Sequence, residues 1–214
     1  PASQVYKVAE SLSFEQAAMT EPVSCCLHGI ELCNIKCGDT VMVIGCGMIG
    51  LIMLQLARLS GAANIIAIEP IKEKREQALK LGADTALDPK ADNIPETLKK
   101  QGLEQVDVVI ECVGRPETIE QAIALAGKYS TVMMFGLTKP DAEISVKPFE
   151  IFKKEITLKS SYINPYTFPA AIKLIESGKL DVSSMIYKIE PLTELPSILA
   201  DGKRCGAGKY IITM

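Results

Sequence analysis

The chain has 214 residues, and 23 Lys and Arg against 26 Asp and Glu give it a net charge of −3 at pH 7. Its hydrophobic fraction of 48% is enough to bury a core, which excludes a disordered chain, and the absence of a basic cluster argues against nucleic acid as a partner. No apolar run approaches the ~20 residues of a membrane span and no signal peptide opens the chain, so we expect no membrane partner and a cytoplasmic location.

Strands and helices alternate along the first three quarters of the chain, which predicts βαβ units and a parallel sheet covered by helices on both faces. The pattern changes after residue 161, where the chain begins to resemble part of a different unit. The predicted strands are 41–45, 64–68, 83–87, 106–111, 131–135, 155–160, 185–190 and 209–212, and the predicted helices are 48–59, 72–81, 94–101, 117–126, 169–177 and 192–201.

Seven cysteines invite a test for a metal site, because Cys25, His28, Cys33 and Cys37 fall close together. Their spacing matches no common zinc pattern, and the chain has no CxxC pair. We therefore expect the cysteines to be buried free thiols and His28 to be a packed or capping side chain.

A glycine-rich turn, Gly45-Cys-Gly47-Met-Ile-Gly50, follows the first predicted strand and opens a helix. Glu69 ends the next strand, 19 residues after Gly50, which is the context that a dinucleotide-binding fingerprint requires. Gly45 would permit the tight turn, Gly47 would admit the pyrophosphate, and Gly50 would let helix and sheet pack closely. The helix N-terminus at Met48–Ile49 would offer its N–H groups to the phosphates. The alternative is a strand–helix turn without a ligand.

The acid Glu69 also favours NAD over NADP. It would accept hydrogen bonds from the adenosine ribose, and its charge would repel a 2′-phosphate. Lys74 could reach the same ribose, whereas the other charged residues of 72–76 are expected to form a solvated helix face.

Several motifs, in order along essentially the whole chain, resemble the zinc-dependent medium-chain dehydrogenases and in particular their sorbitol or polyol dehydrogenase branch. The resemblance implies a doubly wound Rossmann sheet of six parallel strands plus a C-terminal segment of a catalytic domain. It divides the chain into a connecting segment (1–28), an NAD-binding domain (29–162) and a catalytic-domain segment (163–214). The motifs are Ser13-Phe-Glu-Gln-Ala-Ala-Met-Thr-Glu21-Pro-Val-Ser, Gly45-Cys-Gly-Met-Ile-Gly50, Leu81-Gly-Ala-Asp84, Glu111-Cys-Val-Gly114, Phe135-Gly-Leu137 and Gly208-Lys-Tyr-Ile-Ile.

The resemblance also assigns candidate site residues. Glu21 matches an acid that lies at the zinc in the polyol branch, although a plain helix-start acid remains the alternative. The loops after the fourth and fifth strands match those that line the nicotinamide, with a buried structural thiol as the alternative for Cys112. Tyr162 could border the ligands, but packing is the commoner role. The two loops consist of Cys112, Val113 and Gly114, and of Phe135, Gly136 and Leu137.

The implied parent protein is an NAD-dependent zinc alcohol or polyol dehydrogenase that oxidises a secondary alcohol to a ketone. In that family the remaining zinc ligands lie upstream of the matched part, so we assign no catalytic residue to this chain and expect it to bind NAD without activity. The family also implies a homo-oligomer, a dimer or tetramer. Sorbitol itself is in doubt, because Ile163-Asn-Pro165 replaces an arginine–tyrosine pair. Alternatives are a zinc-free quinone or enoyl reductase of the same superfamily, or a non-enzymatic NAD-binding regulatory module.

Overall fold

A computed structural model of the protein describes residues 4–200 and 208–214. It confirms the predicted six-stranded parallel sheet, in the order β3-β2-β1-β4-β5-β6. A second, two-stranded sheet pairs β7 with β8 in parallel near the C-terminus. The strands are β1 (Thr40–Ile44), β2 (Asn64–Ile68), β3 (Thr85–Leu87), β4 (Val108–Glu111), β5 (Thr131–Met134), β6 (Thr157–Ser160), β7 (Ile186–Pro191) and β8 (Lys209–Thr213).

Nine α-helices connect these strands in the described part of the chain. Six lie within a few residues of their predicted bounds, but α1, α2 and α7 were not predicted. The predicted helix at 192–201 is a 3-10 turn at Leu192–Glu194 followed by α9, and its residue 201 lies outside the described residues. The helices are α1 (Phe14–Ala17), α2 (Thr20–Cys33), α3 (Met48–Leu59), α4 (Lys72–Lys80), α5 (Ile94–Lys100), α6 (Pro116–Leu125), α7 (Pro148–Lys154), α8 (Phe168–Glu176) and α9 (Leu195–Ala200).

The sheet separates two hydrophobic clusters, because alternate side chains of each strand point to opposite faces. On β1, Val41 and Val43 belong to the cluster beneath α2 and α3, whereas Met42 and Ile44 belong to the cluster beneath α5 and α6. Since β1 is buried on both faces along its whole length, it is a central strand of a covered sheet.

The C-terminal segment packs on the same core as the sheet. Ala171 and Ile175 of α8 share a hydrophobic cluster with α2 and α3. Gln55 of α3 donates to the Asp181 carbonyl (3.1 Å) and accepts from the Asp181 N–H (2.9 Å). Helix α2 runs without a break through the predicted boundary at residues 28 and 29. The division into three segments stays a prediction, and buried residues on both sides of residue 162 share one cluster.

No helix within residues 4–200 and 208–214 combines the length and the apolar character needed to cross a bilayer.

Candidate functional site

Most of the predicted cofactor-binding residues lie at the carboxyl ends of the strands of the sheet. The strand order runs from β1 through β2 to β3 on one side and from β4 to β6 on the other, so the topology reverses between β1 and β4. Open α/β sheets bind their ligands in the crevice at such a reversal. The loop after β1 and the loop after β4 form the two walls of this crevice.

Two of the three glycines of the first loop have the structural roles that the motif predicts, and the third leaves open the space where the motif predicts a ligand. Gly45 has a φ of +91°, in the left-handed region that glycine adopts without strain. A Cβ on Gly50 would overlap the Gly45 carbonyl oxygen and lie 3.0 Å from its carbon, so α3 can approach the loop only with glycine there. A Cβ on Gly47 would meet nothing within 4 Å, so the space beside it is open. This open side is where a bound group can approach the backbone.

Helix α3 begins at this opening. Gly47 is its N-cap, and no described side chain caps it. The first turn therefore presents the backbone N–H groups of Met48 and Ile49 and the positive end of the helix dipole toward the crevice. Anions bind at such helix ends, which fits a pyrophosphate.

Glu69 fixes the glycine loop to the end of β2. Its side chain is only 5% exposed, and its two carboxylate oxygens accept the Cys46 N–H (2.9 Å) and the Ile71 N–H (3.0 Å). A carboxylate oxygen can accept more than one hydrogen bond, so this pairing leaves capacity for ribose hydroxyls. The predicted acid is thus beside the loop, and its contact with a ribose stays a prediction.

The first turn of α4 brings Lys74 to the same place. Lys74 lines a narrow cleft with Cys46, Gly47 and Met48, and Met185 and Gly208 close its other side. Lys72 pairs with Glu76 at 3.8 Å on an exposed face, as expected of a solvated helix. Arg75 was also expected to lie on this solvated helix face, and that prediction is wrong. Its side chain is half-buried and pairs with Asp88 at 3.2 Å.

Glu111, which the sequence analysis did not single out, shapes the loop after β4. Its fully buried carboxylate accepts the N–H groups of Val113 (2.7 Å) and Gly114 (2.9 Å) and the Thr118 hydroxyl (2.8 Å). A buried acid at the end of an apolar strand was the signal that could have revealed it. Three donors therefore satisfy one buried carboxylate, and they tie the loop to the end of β4.

The loops after β4 and β5 touch each other through glycines. Gly114 has a φ of +77°, and a Cβ on Gly136 would lie 2.8 Å from the Glu111 carboxylate and overlap the Gly114 backbone. The Phe135 and Gly136 N–H groups both donate to the Glu111 carbonyl oxygen (3.0 and 2.8 Å). The two predicted loops therefore form one continuous wall.

The side chains of these loops point in different directions. Val113 lies against Gly45 across the crevice, and Leu137 is 94% exposed. The Phe135 ring instead packs on Gly29 of α2, so its side chain belongs to the core. Cys112 is half-buried, and burial raises the pKa of its thiol well above the ordinary value.

Glu21 is an exposed residue in the first turn of α2, and the Cys25 thiol donates to its carboxylate (3.3 Å). Burial, followed by the hydrogen bond to Glu21, raises the pKa of Cys25 to about 11, so this thiol stays protonated. In the described part of the chain, no three His, Cys, Asp or Glu side chains come close enough together to hold a metal ion. The residues present here therefore do not fit a catalytic zinc by themselves, since such a site needs three protein ligands.

The expected burial of the cysteines is confirmed for Cys26, Cys33 and Cys46 and is wrong for Cys37, which is exposed. Cys205 lies outside the described residues. His28 is half-buried in the middle of α2, so it packs and does not cap a helix.

Tyr162 lies in the loop after β6 and was expected to pack against other residues. That expectation is wrong, because its side chain is 83% exposed. Asn164 anchors this loop on α2 by donating to the Ser24 hydroxyl (2.6 Å), and the Thr167 hydroxyl donates to the Ser24 carbonyl (2.7 Å). Asn164 and Thr167 therefore tie this loop to α2, the helix that carries Glu21, while Tyr162 is exposed.

Comparison with known proteins gives consistent matches. A family described as zinc-binding dehydrogenase matches residues 49–177. The chain is 33% identical to an erythritol/L-threitol dehydrogenase of Mycolicibacterium smegmatis over 93% of its length, and 28% identical to sorbitol dehydrogenase of Ovis aries over 87%. It spans 56% and 53% of those two relatives, that is, about half the length of each.

A solved structure shares the fold over the entire chain. It is described as a zinc-binding dehydrogenase of Sinorhizobium meliloti 1021 bound to NADP, and it superposes with a TM-score of 0.96 at 34% identity. This chain covers 64% of that one.

Proposed function

Because the chain belongs to the zinc-binding dehydrogenase family, we propose that it is the cofactor-binding part of an NAD-dependent alcohol or polyol dehydrogenase. Such an enzyme oxidises a secondary alcohol to a ketone, and the nicotinamide cofactor, when bound, accepts the hydride. The polyol dehydrogenases among the relatives favour this activity over a zinc-free reductase or a regulatory NAD-binding module.

The open backbone at Gly47 is the observation that carries the proposal. It faces the uncapped N-terminus of α3, and Glu69 lies on the other side of the same loop. A dinucleotide needs these three features together: space for its pyrophosphate, N–H donors for the phosphate oxygens and an acceptor for its ribose. The chain's contribution to the reaction is thus to bind the cofactor and to orient it between the loops after β1, β4 and β5.

We propose NAD as the preferred cofactor because of Glu69. A carboxylate held beside the ribose repels a charged 2′-phosphate, whereas it can accept a hydrogen bond from a neutral 2′-hydroxyl. The Sinorhizobium relative is described with NADP, so the preference is a property to be measured on this chain.

Glu21 is proposed as one carboxylate near the metal of the whole protein. No catalytic step is assigned to zinc from this chain, since its described residues do not form a zinc site. The particular alcohol, the homo-oligomer and the cytoplasmic location stay predictions.

Calorimetric titration with NADH and NADPH tests the proposal. The protein should bind NADH more tightly, and Glu69→Gln should narrow the difference by roughly tenfold, because it removes one charge beside the 2′ position. Glutamine keeps an acceptor for only one of the two N–H groups that Glu69 binds, so thermal unfolding of the variant checks that the loop stays in place. Asp39→Asn, at the opposite end of the strands, is the control for loss of one charge. Equal affinities for both cofactors in the wild-type protein would refute the preference, and no binding of either would refute the proposed function.

A further inference from the structure

Arg75 is placed at the end of β2, next to the acid that defines the cofactor site. It projects from the first turn of α4, and its guanidinium donates to the Glu69 carbonyl oxygen (2.7 Å). The Glu69 N–H in turn donates to the Leu87 carbonyl (3.0 Å), so the backbone of Glu69 is held from both sides. A positive charge therefore lies close to where the 2′ substituent of the adenosine ribose is expected.

Asp88 forms an ion pair with this arginine. Its carboxylate pairs with the Arg75 guanidinium at 3.2 Å, and both side chains are only 19% exposed. The other carboxylate oxygen accepts the Lys90 N–H (2.9 Å), and Asp92 accepts the Asp88 N–H (2.7 Å). Asp88 is thus fixed in its own turn, directly after β3, and neutralises Arg75 in a partly desolvated position.

The arrangement matters because an arginine near this acid is what accommodates the 2′-phosphate of NADP in other dinucleotide folds. Arginine suits that role since its planar group binds phosphate oxygens in a bidentate manner. In this chain the suitable arginine is present, but its charge is paired with Asp88, and the same nitrogen, Nη1, also donates to the Glu69 carbonyl.

We infer that Asp88 is a specificity-determining residue, which disfavours NADP by holding Arg75 in an ion pair beside the ribose site. The inference rests on the proposed function, and it adds a second determinant to Glu69. Glu69 acts by direct repulsion, whereas Asp88 is a positioning residue that acts through Arg75.

The test compares the affinities of Asp88→Asn for NADPH and NADH by calorimetry, with thermal unfolding as a check on folding. Affinity for NADPH should rise about tenfold, because one compensating charge is lost near the phosphate, while affinity for NADH should stay within about twofold. The double variant Asp88→Asn/Arg75→Gln should lose the gain. If Asp88→Asn does not fold, Asp88→Ser serves the same comparison.

Asp84→Asn is the matched control. Asp84 pairs with Arg58 at the opposite, amino edge of the same strands, so this variant removes one helix-to-strand ion pair of the same kind away from the site. Its NADPH-to-NADH ratio should equal that of the wild type.

Two results would overturn the inference while leaving the proposed function in place. One is normal NADH binding with an unchanged ratio in Asp88→Asn, and the other is a gain that persists without Arg75. A wild-type protein that binds neither cofactor would instead remove the proposed site, and the inference with it.

Discussion

Substituting valine for Gly47 should abolish cofactor binding while the protein stays folded. Gly47 has a φ of −70° and a ψ of −178°, which any residue can adopt, and the space around its missing Cβ is open. The same change at Gly50 is different in kind, because a Cβ there overlaps the Gly45 carbonyl oxygen. The pair Gly47→Val and Gly50→Ala therefore separates a glycine needed for a ligand from one needed for packing.

The expected magnitudes differ enough to be measured. At Gly47 the cost in stability is that of a poorer N-cap, about 1 kcal/mol or less, which corresponds to roughly 2–4 °C in Tm for a chain of this size. At Gly50 the loop and α3 must move apart, which we expect to cost about 3 kcal/mol, or roughly 6–12 °C. For NADH affinity we expect the larger loss at Gly47. The valine methyl groups would occupy the space of the pyrophosphate and should weaken binding at least about a hundredfold.

Thermal unfolding and NADH titration, carried out on the same preparations of each variant, measure the loss of stability and the loss of affinity. Gly47→Ser is the control variant, because serine is a good N-cap and has a smaller side chain, so it should lose less affinity than valine. The reasoning is refuted if Gly47→Val binds NADH as the wild type does. It is equally refuted if that variant loses as much stability as Gly50→Ala.

Two further predictions concern the buried thiols and the activity of the 214-residue chain. Burial raises the pKa of Cys33 and Cys46 to about 12 from an ordinary 9.0, so the unfolded chain releases these protons first. The free energy of unfolding, measured with urea and reductant, should therefore fall as the pH rises from about 9 to about 12, and an equally steep fall in Cys33→Ala/Cys46→Ala would contradict this. The 214-residue chain should bind NADH but produce none from polyols, and metal analysis that finds stoichiometric zinc would contradict that.

The order and type of most elements could be predicted because short apolar strands alternate with helices and glycines mark their ends. Helix α2 was missed because Pro22 and Gly29 interrupt its helical pattern. Its Gly29 is explained only by the tertiary structure, where the Phe135 ring packs directly on it. Helix α7 has no buried residue, so it carries little of the hydrophobic periodicity from which helices are predicted.

The local geometry of Gly45, Gly50 and Glu69 could be predicted because each residue type has one evident use at its place in the motif. The Arg75–Asp88 ion pair could not, because its two residues lie on different elements that only the fold brings together. Arg75 looked like one more charge on a solvated helix until the fold placed Asp88 next to it. Phe135 was predicted to line the cofactor site, and the position of its ring differs from that prediction. Its neighbours in sequence lie at the crevice, but its ring packs on the core.

Two buried acids hold the loops on either side of the crevice. Glu69 directly follows β2 and Glu111 is the last residue of β4, the two neighbours of β1, and each carboxylate accepts backbone N–H groups of a loop beside the crevice. Loops held in this way lose little conformational freedom when a ligand binds, so more of the interaction energy remains as affinity. Of these two acids, only Glu69 binds the glycine loop, where we propose that the pyrophosphate lies. We therefore expect the replacement of Glu69 to weaken contacts with both the adenosine ribose and the pyrophosphate, because Cys46 links the two parts of the proposed site. Replacement of Asp88 should affect the adenosine part alone.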